Sequence, residues 1–123
     1  MSPGFHVLRL FAPILILAGI GGFVIPADKS LMSGAAAYNV FHLCFGALGV
    51  AIVLSKRERA VAAFNVGFGL IDLYQAVASR AGWFPIDAFR WKTADDVLHV
   101  AFGLLLVAVG VHGWRRRGQP TGR

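Results

Sequence analysis

Apolar residues run along this chain in four long blocks, with polar residues gathered at the block ends. The first block extends from about Val7 to Ile25 and the second from about Ala35 to Leu54. The third covers about Ala60 to Ser79 and the fourth about Thr93 to Trp114. Each is close to the roughly 20 residues a helix needs to cross a hydrocarbon core about 30 Å thick. The apolar positions fill whole runs rather than one helical stripe, which separates membrane spans from the amphipathic helices of a soluble bundle. A chain this short cannot close a membrane barrel, so helices are the spanning structure open to it. The pattern predicts an all-α membrane protein with a single domain over residues 1–123 and four transmembrane helices paired as two hairpins. Pro13 is expected to kink the first helix and Pro26 to end it. Arg9 and the apolar run after it resemble a signal peptide. The run is long for that role, however, and the small-residue site Gly34-Ala35-Ala36-Ala37 lies well beyond it, so the first helix is expected to be retained.

The connections sharpen this picture. Ser55-Lys56-Arg57-Glu58-Arg59 makes a tight charged turn between the second and third helices. The longer connection from Ala81 to Lys92 mixes Trp83, Phe84, Phe89 and Trp91 with Pro85, Asp87, Arg90 and Lys92. Such a mix suits a segment lying in the membrane interface, and equally an ordinary loop folded over the bundle. Basic residues set the topology. Arg9, Lys56, Arg57, Arg59, Arg115, Arg116, Arg117 and Arg123 fall on one side, against Lys29, Arg80, Arg90 and Lys92 on the other. Both termini are therefore expected in the cytoplasm.

Composition agrees: 57% of residues are hydrophobic and only 15% charged, and mean hydropathy is +0.66. The net charge of +6 comes from short clusters at the block ends, which marks membrane anchors rather than a nucleic-acid surface. The expected partners are the lipid bilayer and either other membrane subunits or further copies of the chain, with no nucleic acid. Cys44, the single cysteine, sits mid-block and reads as an inert buried thiol.

The second and fourth blocks align without a gap. Asn39-Val-Phe-His42-Leu-Cys-Phe-Gly46 lies over Asp96-Val-Leu-His99-Val-Ala-Phe-Gly103, and Val50-Ala51 over Val107-Ala108. The halves then correspond, and both start on the cytoplasmic side, so the repeat is parallel. Asn39, His42, Gly46 and Gly49 share one helix face, as do Asp96, His99, Gly103 and Gly110. Small residues let a neighbouring membrane helix approach closely, so these stripes are expected at helix contacts. Together with Ile16-Leu-Ala-Gly-Ile-Gly-Gly-Phe23 and Ala94-Asp-Asp-Val-Leu-His99, these motifs resemble a bacterial domain-of-unknown-function family of small four-helix membrane proteins. The resemblance spans nearly the whole chain and implies the four-helix fold and a bacterial inner membrane. Family members often carry Asn where this chain has Asp96, and the family brings no established activity.

Counted from the predicted outer helix ends, His42, Asp72 and His99 lie at similar depth, with Asn39, Tyr74, Gln75 and Asp96 nearer the surface. An ionised Asp at a helix centre costs about 2.5–3.5 kcal/mol on insertion scales, so Asp72 should be paired, protonated or beside water. His99 is the first expected partner, then Tyr74 and Asn39. Asn39, His42, Asp72, Asp96 and His99 are thus predicted as one buried polar cluster. Three readings of it compete. One is a structural clasp in a non-catalytic accessory or assembly subunit. Another is a b-type haem held by His42 and His99 as axial ligands. The last is a proton or solute path through Asp72, His42 and His99. Zinc is poorly served, because Cys44 points elsewhere and Asp72 alone makes a thin ligand set. No nucleophile–base pair or metal motif suggests an enzyme.

Overall fold

The computed structural model describes residues 1–118, so Arg123, counted above among the cytoplasmic basic residues, lies outside the described residues. The fold is all-helical: α1 Pro3–Val24, α2 Ala36–Ser55, α3 Glu58–Ala81, the short α4 Ile86–Phe89 and α5 Thr93–Gly118. Of these, α1, α2, α3 and α5 are long and apolar enough to cross a membrane. Each lies within a few residues of the block predicted for it, and α1 runs through Pro13 without a break.

Local chemistry explains the helix limits. Ser2 caps α1 by accepting from the Phe5 N–H, and Pro3 takes the first helical position, where its missing N–H has no intrahelical partner to lose. Glu58 opens α3 and accepts from both the backbone N–H of Ser2 (2.9 Å) and its hydroxyl (2.5 Å), tying the first turns of α1 and α3 together. Gly82, at φ +74°, closes α3 in the left-handed conformation that glycine adopts freely, with the Trp83 N–H reaching back to Ala78 O.

Packing is closest within the pairs α1–α2 and α3–α5, and sparser between them. The expected small-residue contacts are present. A Cβ on Gly46 would stand 3.0 Å from the backbone N of Ile16 and 3.1 Å from Ala12 O. One on Gly103 would stand 3.0 Å from Gly69 O and 2.8 Å from the Leu73 side chain. These two contacts are the same contact moved along the chain. The 57 residues from Gly46 to Gly103 also carry Ala12 to Gly69 and Ile16 to Leu73. The same step carries the last residue of α1, Val24, to the last of α3, Ala81, and the first of α2, Ala36, to the first of α5, Thr93.

Between the pairs lies an aromatic core. Phe11 of α1 and Phe41 and Phe45 of α2 surround Phe68 of α3, with ring centroids 5.8, 5.7 and 5.1 Å away. The Ala81–Lys92 connection divides. Phe89 of α4 packs inward on Tyr38 and Phe41, 5.2 Å from each, and the Trp91 indole N–H donates to Gln75 Oε1. Trp83 and Phe84 face outward. One stretch therefore plugs the bundle while another presents the aromatic rings that membrane interfaces favour.

Candidate functional site

The end of the bundle that carries the two long connections holds a buried polar network centred on Asp95. Asp95 stands in the first turn of α5 and is fully buried. Its Oδ2 accepts from the backbone N–H of Ser33 (2.7 Å) and of Lys92 (2.8 Å), and its Oδ1 from the Tyr38 hydroxyl (3.2 Å). A carboxylate is acceptor-only with two oxygens, so three converging donors satisfy most of its capacity. Tyr38, at the start of α2 and also fully buried, places its hydroxyl 2.8 Å from His99 Nε2. Ser33 donates its hydroxyl to Phe89 O, and Lys92 Nζ donates to the carbonyls of Ala27 (3.0 Å) and Ser30 (2.9 Å). Every one of these bonds except the Lys92 N–H contact joins one hairpin to the other.

All five residues predicted for the cluster are buried, but they do not form one group. His42, Asp72 and His99 do converge. Together with Tyr38 they line the inner end of a cavity of about 280 Å³ whose walls are Phe11, Leu15 and Phe102. Asn39 instead faces α1, with its amide lying where a Gly22 side chain would be, and donates to Gly34 O at 2.9 Å. Asp96 faces the flank of α3 and pairs with Arg80, 3.2 Å away. These two positions correspond through the 57-residue displacement, and each addresses its own hairpin partner rather than the bundle centre.

The expected Asp72–His99 pair is also replaced. His99 Nε2 meets Tyr38, while Asp72 Oδ1 accepts from Gln75 Nε2 (3.3 Å) one helical turn along, and Gln75 is in turn held by Trp91. Tyr74, the next expected partner, lies at the surface and donates to Phe84 O. Asp95, Tyr38 and Ser33 are the residues that sequence reasoning passed over. A signal for two of them was present: Tyr38 and Asp95 each stand one residue before the aligned Asn39 and Asp96. Cys44 is exposed on the outer surface of α2, not buried as expected.

The geometry does not fit a haem between the histidines. Axial ligation by the two histidines needs a porphyrin-sized slot between their rings. The Tyr38 ring stands against both imidazoles, 4.1 Å from that of His42 and 5.9 Å from that of His99, and its hydroxyl occupies Nε2 of His99. Among the described residues no three His, Cys, Asp or Glu side chains gather as a metal-holding group. A continuous polar path is likewise not favoured. Asn65, about 10 Å farther along α3 from Asp72 at 1.5 Å per residue, donates to Gly4 O, and the Phe11–Phe68 contact lies at the level between them. No family model, curated protein or solved structure matches this chain.

Proposed function

We propose that this protein is a non-catalytic, multi-pass subunit of the bacterial cytoplasmic membrane, a duplicated hairpin with both termini in the cytoplasm, whose buried network clasps its halves into a rigid docking body. The observation that carries the reading is Asp95, which takes donors from Ser33 and Tyr38 in the first hairpin while seated on α5 of the second. A carboxylate placed inside a membrane bundle is costly unless its lone pairs are met. Meeting them across the hairpin boundary makes the relative placement of the hairpins the condition for burial. The shared helix limits and glycine contacts support the duplication, and the basic residues near the termini support the orientation.

The test is the state of the protein in its own membrane. Extracted in mild detergent and run on a native gel, the chain should migrate in an assembly larger than one 13.2 kDa copy. Migration as a single copy with no companion would overturn the subunit reading. A thiol probe that reaches cysteines placed at Asp28 and Phe84 only from the cytoplasm would overturn the orientation.

A further inference from the structure

The cavity beside the clasp has features that the clasp does not need. It lies in the crevice between α1 and α5, with Ile14 exposed at its mouth, so it opens sideways into the region of the hydrocarbon core. At its inner end are three polar side chains more than nine-tenths buried, each with bonding capacity unused. Neither ring nitrogen of His42 has a partner among the described residues, Nδ1 of His99 has none, and Asp72 uses only Oδ1. A buried polar atom left unpaired costs roughly 1–3 kcal/mol, and His99 Nδ1 is one, so with the spare capacity of His42 and Asp72 beside it the cavity marks a place where something else completes the bonds.

The crevice related by the 57-residue displacement carries bulkier side chains. There Gln75 stands for Ala18, Phe89 for Met32 and Phe41 for Leu98. Phe89 and Phe41 pack 5.2 Å apart and Gln75 is pinned by Trp91, so larger side chains fill the second crevice.

We propose that the α1–α5 crevice binds the ring of a membrane-dissolved quinone or quinol. Size, charge and bonding agree on this class. A cavity of roughly 150 Å³ takes benzene, and one of about 280 Å³ takes a substituted ring. No Lys or Arg lines the cavity, while Asp72 and Asp95 are close by, which disfavours an anionic head group such as a fatty-acid carboxylate. A neutral imidazole carries one donor and one acceptor. Tyr38 gives its one proton to Asp95, so His99 Nε2–H donates to the Tyr38 oxygen and its free Nδ1 is an acceptor, while His42 offers one donor to a quinone oxygen. In the quinol, one ring hydroxyl donates to His99 Nδ1 and the other to Asp72 Oδ2 or a ring nitrogen of His42. The lateral mouth admits a ligand whose tail remains in lipid.

The proposal is independent of the subunit reading and has its own test. An azido-substituted benzoquinone is photoactivated in phosphatidylcholine vesicles holding the full chain, and the adducts are mapped by mass spectrometry. Labelling should concentrate on α1 and α5 around Ile14 and Leu98 and be competed by unlabelled short-chain quinone. It should fall at least tenfold in Ala18→Trp, which fills the cavity, and in His42→Phe. Should either variant fail to fold, Ile14→Trp at the exposed mouth is expected to reduce labelling as well. Labels spread over the lipid-facing surface, or unchanged in these variants, would overturn the site. Equal competition by a fatty acid would overturn the ligand class.

Discussion

The two hairpins share one backbone plan and differ in a handful of side chains, and the differences hold the chemistry. Gly46 and Gly103 make the same contact, and His42 and His99 stand at the same height. Yet Tyr38 in the first hairpin corresponds to Asp95 in the second, and Leu15 to Asp72. Two identical tyrosines or two identical aspartates could not make the bond that Tyr38 and Asp95 make. The shared contacts supply the frame, and departures from it supply a donor opposite an acceptor.

If the frame is truly shared, damage to it should be symmetrical. Gly46→Leu and Gly103→Leu should each destabilise the protein by about 3 kcal/mol, the upper end for overpacking, because the new side chain meets backbone as well as the Ile16 or Leu73 side chain. Unfolding in sodium dodecyl sulfate would measure both, and tolerance of either one alone would break the equivalence. Damage to the chemistry should be asymmetrical. Asp95→Ala strands the Ser33 and Lys92 N–H groups and the Tyr38 hydroxyl, at a cost of about 2 kcal/mol. Asp96→Ala, one residue on, should cost about 0.5 kcal/mol, since its partner Arg80 is largely exposed.

A finer comparison sets two candidate pairs side by side. A double-mutant cycle on Tyr38→Phe and His99→Phe should give a coupling of about 1 kcal/mol, within the range for hydrogen bonds between membrane helices. The cycle on Asp72→Leu and His99→Phe should give less than that, because the two share a cavity but no bond. Reversed values would restore the pairing first expected from sequence depth. The smallest effect is a spectrum: a reduced-minus-oxidised difference of the protein from its native membrane should show no b-type haem band. A band lost in His99→Ala would contradict the seat of Tyr38 against both rings.

What was legible in the sequence follows from the physics of each feature. Hydrocarbon thickness dictates helix length, so the four spans could be read to within a few residues. Depth along a helix is additive in residue number, which is why the sequence reads His42, Asp72 and His99 at one depth; all three line one cavity. Azimuth between helices is not additive. Asp96 shares a helix with His99 yet turns to Arg80, because rotation of α5 against α3 is set by the Gly103 and Gly110 contacts. Asp95 was overlooked since its three donors come from Ser33, Tyr38 and Lys92, each supplied by a loop or helix start whose path only the folded chain determines. The Ala81–Lys92 connection admitted two descriptions: Phe89 and Trp91 fold over the bundle, while Trp83 and Phe84 stay exposed.

The sideways mouth at Ile14 has a thermodynamic consequence. Whatever enters there is drawn from the bilayer, so its chemical potential is set by its mole fraction in lipid and not by its concentration in water. A compound that partitions strongly is enriched at the mouth before any bond to His42 or His99 forms. Apparent affinity measured against total aqueous ligand will then rise and fall with the amount of lipid in the sample, and only titrations expressed per mole of lipid will agree between laboratories.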